Sequence, residues 1–255
     1  MRVTVCELPS QPANLAPAWH SLCEHSRQAQ PDLLVLPEFA FVEPLWEAER
    51  FDPQRWDDAV AQTDAWMQRL PELGVACVVG ARPVTDGGRP FNEGFAWTPQ
   101  RGYQRLRRKF YLPDEPGGWE ARWFDRGDAT FPPLDIADHS MAINICTELW
   151  ALDTFASYAQ QGVQAIITPR ATARATVEKW LAMGTVAAAR AGAFSLSSNR
   201  VDEHGTYGGA GWVIDPDGAL LARTTAQAPF CTVDIDLSAA QQARHTYPRY
   251  VFEAQ

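Results

Sequence analysis

Two hydrophobic patterns alternate along the chain. Short apolar runs predict buried β-strands, and stretches in which apolar residues recur every three or four positions predict helices. The predicted helices are residues 14–30, 54–70, 154–161 and 178–191. The predicted strands are residues 2–8, 32–36, 73–80, 91–97, 104–111, 141–146, 164–168, 194–198, 210–214, 220–222 and 230–235.

The order of these elements indicates an α/β fold, because strands and helices alternate. Leu33–Leu36 is apolar at every position, which is typical of a strand buried on both faces. Turn signals such as Asp86-Gly87-Gly88 and Asp215–Gly218 predict hairpins, and hence a mixed sheet. Residues 112–130 are rich in Pro, Gly and Trp and are predicted to be irregular. No linker or low-complexity tract divides the 255 residues, so we expect one domain over residues 1–255.

Composition narrows the possible partners and the compartment. The net charge of −9 disfavours nucleic-acid binding, which depends on cationic contacts to phosphates. No apolar run reaches the roughly 18 residues that a membrane helix needs, and the N-terminus lacks the pattern of a signal peptide. Five cysteines without a CxxC spacing are typical of a reduced, cytoplasmic protein. The five histidines show no metal-ligand spacing, so no metal is expected.

One cysteine differs from the others. Cys146 ends the apolar run Met141–Cys146, and the polar and aromatic stretch Thr147–Trp150 follows at once. This pattern predicts a strand that delivers a thiol to the end of a sheet, where ligands bind in α/β folds. The other cysteines lie within strand-like or helical patterns and are predicted to be small buried hydrophobic residues: Cys6, Cys23, Cys77 and Cys231.

Two more predicted strands lead into a chemically capable residue, Glu38 and Lys109. Taken singly, Glu38 could cap a helix, Lys109 could lie on the surface and Cys146 could belong to the core. Together they complement one another: a thiol needs a base, a buried glutamate can accept its proton, and an ammonium can stabilise an oxyanion. A Ser/His/Asp triad is disfavoured because no serine lies in a GxSxG motif. His139 is expected at the far end of the Cys146 strand.

Three segments, Leu33–Phe39, Arg108–Pro113 and Ile143–Cys146, resemble in order the three signatures of the nitrilase superfamily of carbon–nitrogen hydrolases. Further matching segments extend the resemblance nearly end to end: Phe91–Gly94, Gly162–Pro169, Ser198–Arg200, Gly208-Gly209, Ile214–Gly218 and Asp234–Leu237. The resemblance implies a four-layer αββα sandwich with mixed sheets. It also implies roles for three residues: Glu38 as general base, Lys109 as transition-state stabiliser and Cys146 as nucleophile.

The family has a second glutamate after the lysine. The segment Lys109–Glu120 resembles the lysine segment of N-carbamoyl-amine amidohydrolases, which implies that Glu120 is this residue; Glu115 is the alternative. The implied enzyme hydrolyses the C–N bond of a small linear amide or N-carbamoyl compound through a cysteine thioester, releasing ammonia or an amine. It needs no cofactor or metal and assembles as a homodimer or a larger homo-oligomer.

Departures from the family pattern lie where the substrate is expected to bind. Tyr111 stands where the family usually has His, Glu148 where it often has Asp, and no arginine follows Cys146 nearby. In having Glu148 at this position the chain mildly resembles true nitrilases, which carry Glu there, so a nitrile hydrolase is an alternative. A nitrilase-fold binding protein without turnover is another.

Aromatic residues flank the predicted catalytic positions, so the pocket is expected to be aromatic. Phe39 and Phe41 could equally be core residues. The predicted substrate-binding residues are Trp119, Trp150, Thr147 and Tyr111. Arg170 and Arg174 are candidates for binding a substrate carboxylate.

Overall fold

The computed structural model describes residues 1–9 and 11–252. The strands are β1 (Arg2–Pro9), β2 (Leu33–Glu38), β3 (Cys77–Asp86), β4 (Arg89–Thr98), β5 (Gly102–Arg108), β6 (Leu134–Ile136), β7 (His139–Ile143), β8 (Ala165–Pro169), β9 (Phe194–Val201), β10 (Trp212–Ile214), β11 (Leu220–Arg223) and β12 (Phe230–Asp234). The α-helices are α1 (Pro12–Ala29), α2 (Pro53–Met67), α3 (Glu120–Trp123), α4 (Asp153–Gln161), α5 (Val177–Ala191) and α6 (Ser238–Ala243). Short 3-10 helices cover Leu45–Glu47, Leu70–Leu73, Cys146–Trp150, Arg174–Thr176 and Arg249–Phe252.

Strand β1 joins two halves of the molecule. In one half the strand order is β5-β4-β3-β2-β1, with β12 beside β1; in the other it is β9-β8-β7-β6, with β10 and β11 beyond β9. The last residues of β1, Glu7–Pro9, pair with β9 and connect the halves. Neighbours are parallel within β1–β3 and within β7–β9, and antiparallel in the β3–β4, β4–β5 and β6–β7 pairs. The sheets are therefore mixed, as predicted.

Alternating side chains place each sheet between a helical layer and the other sheet. On β2, Leu33 and Val35 belong to a core cluster shared with β7 and β8, whereas Leu34 and Leu36 pack with α1. The two sheets approach closely at Gly94, because a Cβ there would lie 2.8 Å from Ile143 Cδ1 on β7. On the other side α5 packs against β9 and β10. The layers are thus helix, sheet, sheet and helix, which confirms the α/β fold.

Some boundaries differ from the predicted ones. The strand predicted from residue 73 begins at Cys77, because Leu70–Leu73 forms a 3-10 helix and Gly74 turns the chain at φ 65°. The strand predicted to contain Cys146 ends at Ile143, so the thiol lies beyond the sheet. Cys231 is partly exposed rather than buried. Within residues 1–9 and 11–252, no helix is both long and apolar enough to cross a membrane.

Candidate active site

Segments far apart in sequence bring four predicted site residues together. Glu38 is the last residue of β2, Lys109 follows β5, and Glu120 begins α3. The Lys109 Nζ atom lies 2.9 Å from Glu38 Oε1 and 2.8 Å from Glu120 Oε1. Glu38 and Lys109 are completely buried, and Glu120 and Cys146 are each 4% exposed. The charges of Glu38, Lys109 and Glu120 all act on the Cys146 thiol.

Two sharp turns lie beside these residues. Cys146 has a φ of 49°, and Phe39, directly after Glu38, has a φ of 48°. Residues other than glycine rarely adopt a positive φ. Those that do are concentrated at functional sites, where contacts with the surrounding structure maintain the strained backbone. The turns redirect the chain at the ends of buried strands. Glu38 and Cys146 therefore lie where the sheets give way to loops.

Glu38 has one occupied and one free carboxylate oxygen. Its Oε1 accepts hydrogen bonds from Lys109 Nζ and, at 2.7 Å, from Asn92 Nδ2. Its Oε2 has no hydrogen-bond partner among residues 1–9 and 11–252. This carboxylate can thus accept a proton through Oε2. Asn92 is not among the site residues predicted from sequence, although it lies in the Phe91–Gly94 segment that resembles the family.

Of the two candidates for the second glutamate, Glu120 contacts Lys109. Glu120 is buried against the ammonium, whereas Glu115 is exposed and bridges to Gly118. Burial raises the pKa of Glu120 to about 7, although Lys109 acts in the opposite direction. Burial by itself would lower the pKa of Lys109, but the Glu120 and Glu38 carboxylates raise it above its ordinary value. The ammonium therefore stays charged.

The Cys146 thiol rests in its protonated form. Burial raises its pKa above the ordinary value and the Glu38 carboxylate raises it further, while Lys109 and a hydrogen bond from the Ala171 N–H lower it. Because the thiolate is the nucleophilic form of cysteine, attack requires a base at the moment of reaction. The free oxygen of Glu38 can fill that role.

The predicted substrate-binding residues lie in the segments that follow the predicted catalytic residues Lys109 and Cys146. Thr147 is partly buried in the 3-10 helix that begins at Cys146. Trp150 and Tyr111 are 44% and 45% exposed. Trp119 directly precedes Glu120, and its ring centre lies 4.0 Å from the Arg122 guanidinium carbon. Their roles in substrate binding stay predictions.

The structure shows the surroundings of the two phenylalanines that could belong to the core and of the two arginines considered for carboxylate binding. Phe39 and Phe41 are buried within aromatic clusters of the core. Arg170 is fully buried, and its guanidinium donates to the Ser197 and Thr172 hydroxyls and to the Ala210 carbonyl. These contacts engage Arg170 in the scaffold, while Arg174 is exposed. Among the described residues, no His, Cys, Asp and Glu side chains form a group that could hold a metal ion.

The carbon-nitrogen hydrolase family model matches residues 2–245. No curated protein matches the sequence significantly.

Solved structures with the same fold include a carbon-nitrogen hydrolase from Helicobacter pylori G27, with a TM-score of 0.82 at 19% identity over 98% of this chain and 94% of that chain. An amidase from Nesterenkonia sp. has a TM-score of 0.76 at 17% identity over 99% and 95% of the two chains. A mutant of the amidase from Nesterenkonia sp. AN1, with a TM-score of 0.75 at 14% identity over 100% and 97%, shows covalent addition of the acetamide moiety of fluoroacetamide at the active site cysteine. At these identities the likeness shows the fold alone.

Proposed function

Because this chain belongs to the carbon–nitrogen hydrolase family, we propose that it hydrolyses a small linear amide or N-carbamoyl compound through a thioester on Cys146. One observation carries the proposal: the Lys109 ammonium lies between the Glu38 and Glu120 carboxylates, at 2.9 and 2.8 Å, in the buried cluster that includes the thiol. This set combines a nucleophile, a base and a fixed positive charge.

In the first half of the reaction, Glu38 Oε2 takes the Sγ proton as Cys146 attacks the amide carbonyl. The S–C bond forms, and the carbonyl oxygen becomes an oxyanion. The Lys109 ammonium and the backbone N–H of Thr147 stabilise this oxyanion. The Thr147 N–H is available because the first N–H groups of a helix have no partner within the helix. Losing one such donor typically costs about 3–4 kcal/mol of transition-state stabilisation.

In the second half, the protonated Glu38 gives its proton to the leaving nitrogen as the C–N bond breaks. Ammonia or an amine leaves, and the acyl or carbamoyl group remains on Cys146 as a thioester. Glu38 then takes a proton from water, whose oxygen attacks the thioester carbonyl. Collapse of this intermediate breaks the S–C bond, and the sulfur recovers the proton from Glu38.

Glu120 has a supporting role in this scheme. Its carboxylate and that of Glu38 both accept hydrogen bonds from Lys109 Nζ, so the ammonium is held by two partners. A cation in a fixed position needs little reorganisation when the oxyanion forms. Glu120 thus orients Lys109, and Glu38 transfers the protons.

The test is ammonia release from a panel of amides, N-carbamoyl amines and nitriles. We expect turnover of an amide or carbamoyl compound by the wild type, and none by folded Cys146→Ala or Cys146→Ser. Cys231→Ala, which alters a partly exposed cysteine, should keep wild-type activity. Full activity of Cys146→Ala would refute the mechanism. A strong preference for nitriles would favour a nitrile hydrolase, and no turnover or covalent adduct would favour a binding protein.

A further inference from the structure

The Glu148 carboxylate connects two segments of the active site. It is completely buried. Its Oε2 accepts a 2.9 Å hydrogen bond from the N–H of Ile145, and its Oε1 accepts a 2.7 Å hydrogen bond from the N–H of Phe110. Ile145 directly precedes Cys146, and Phe110 directly follows Lys109. One carboxylate thus joins the main chain beside the thiol to the main chain beside the ammonium.

Arg107 balances the charge of this carboxylate. Its guanidinium donates to Glu148 Oε2, and it is itself buried, with its guanidinium carbon 4.1 Å from the centre of the Phe131 ring. A buried carboxylate needs such a partner to remain ionised, and an ionised carboxylate only accepts hydrogen bonds. Arg107 precedes Lys109 by two residues and Phe110 follows it. Glu148 therefore contacts the Lys109 segment on both sides.

The turn at Cys146 has local supports of its own. Asn144 Nδ2 donates to the Glu148 carbonyl at 2.9 Å, and the Tyr158 hydroxyl donates to Asn144 Oδ1 at 2.8 Å. The Glu148 N–H donates to the Ile145 carbonyl at 3.1 Å. These bonds hold the strained backbone of Cys146, whose φ is 49°. Of these described groups, the Glu148 carboxylate is the one that also contacts the Lys109 segment.

We propose that Glu148 is a positioning residue, which holds the Cys146 turn and the Lys109 segment at the separation that amide attack requires. The inference rests on the proposed function, since it concerns the same thiol and ammonium. A displacement of about 1 Å in an active site can cost about 100-fold in rate. The hydrogen bonds of the Glu148 carboxylate go to Arg107 and to the backbone beside Lys109 and Cys146, so it acts through the main chain next to the reacting groups.

Two substitutions test this role. Glu148→Gln keeps the shape, but its NH₂ group cannot accept a hydrogen bond from the donors that now face the carboxylate. Glu148→Asp keeps the charge but is one methylene shorter, so it cannot reach both segments. We expect kcat to fall by about 100-fold in both variants, because the thiol and the ammonium lose the geometry that the transition state requires.

The pH dependence of Cys146 alkylation by iodoacetamide provides a second readout. Glu148→Asp is the variant for this readout, because it keeps the charge: if the Lys109 ammonium moves away from the thiol, the apparent pKa of Cys146 should rise, since a nearby positive charge favours the thiolate. A purely structural role would not move this pKa in the folded protein. The readout needs no turnover, so it reports on Glu148 even if the wild type hydrolyses no amide, an outcome that would count only against the proposed function.

Glu93→Gln is the matched control. Glu93 is also a buried carboxylate paired with an arginine of β5, Arg108 at 2.9 Å, but it contacts neither Ile145 nor Phe110 in the described structure. It should lose stability without a comparable loss of kcat. If Glu148→Gln fails to fold, the double variant Arg107→Met/Glu148→Gln removes the unpaired guanidinium and provides the comparison. Wild-type kcat and an unchanged Cys146 pKa in folded Glu148 variants would overturn the proposal.

Discussion

Asn92 and Glu38 are joined by a hydrogen bond of 2.7 Å between Asn92 Nδ2 and Glu38 Oε1. The same oxygen accepts from Lys109, so both donors act on one side of the carboxylate. Oε2 is left without a hydrogen-bond partner among the described residues. Asn92 thereby orients the base that we propose for the reaction.

Removing this amide should slow catalysis without weakening substrate binding. A hydrogen bond to a charged group contributes about 1.5–3 kcal/mol, so we expect Asn92→Ala to lower kcat by about 10- to 150-fold with little change in KM. Asn92→Asp should lose more activity at neutral pH, since a third carboxylate beside those of Glu38 and Glu120 opposes their ionisation. Steady-state kinetics measure both effects. Asn14→Ala, which removes an amide paired with Glu203 near the surface, should leave kcat unchanged.

The role of Lys109 can be tested by comparing the same substitution at the two lysines of the chain, Lys109 and Lys179. Lys109→Met removes the proposed oxyanion donor and leaves two buried carboxylates without their cation. We expect kcat/KM to fall by about 100- to 1,000-fold, and stability to fall as well. Lys179 is exposed on α5, and Lys179→Met should behave as the wild type. Equal activity of the two variants would exclude the proposed role of Lys109.

The pKa of Glu120 predicts a pH-dependent stability. Its folded-state pKa of about 7 lies above the ordinary value of 4.5 because of burial. The folded protein therefore binds the proton more tightly than the unfolded chain, and the free energy of unfolding should decrease as the pH rises from about 4.5 through 7. Glu120→Gln lacks this titration. Urea denaturation between about pH 4.5 and 8 should give a smaller decrease for Glu120→Gln than for the wild type, and parallel curves would contradict the assignment.

Trp150 tests the predicted substrate-binding surface. Its ring is 44% exposed and meets the Trp180 ring edge-on at 5.5 Å. A small apolar group in a hydrophobic pocket contributes about 1–3 kcal/mol, so Trp150→Ala should raise KM for aromatic or branched amides by about 10-fold or more. Acetamide, which lacks such a group, should be little affected. Leu221→Ala, at an exposed position of β11, is the control; a uniform effect on all substrates would argue against a binding role for Trp150.

The close approach of the two sheets predicts a rescue experiment. In Gly94→Ala the new Cβ would lie 2.8 Å from Ile143 Cδ1, so we expect a loss of about 1–3 kcal/mol in the free energy of unfolding. Ile143→Val removes that Cδ1 atom, and the double variant should be more stable than the sum of the single effects predicts. Gly118→Ala, whose Cβ would make only ordinary contacts, is the matched control. Strictly additive effects would rule out this contact as the cause.

Several features of the site were not readable from sequence. The strand predicted over residues 141–146 ends at Ile143, because the chain turns through a positive φ at Cys146 that an apolar pattern does not reveal. The roles proposed for Asn92 and Glu148 depend on hydrogen bonds with distant segments of the chain. Glu38 and Lys109 lie 71 residues apart and still share a hydrogen bond.

The sequence by itself determined the alternation of strands and helices, the mixed α/β class, and the position of Glu38 at the end of a buried strand, because hydrophobic periodicity is a local property of the chain. Only the tertiary structure decided that Glu120 rather than Glu115 meets the Lys109 ammonium, since Glu115 is exposed. It also decided which oxygen of Glu38 is free and in which direction the pKa of the Cys146 thiol moves. These properties depend on burial and on charges brought together from distant segments, and no local pattern encodes such distances.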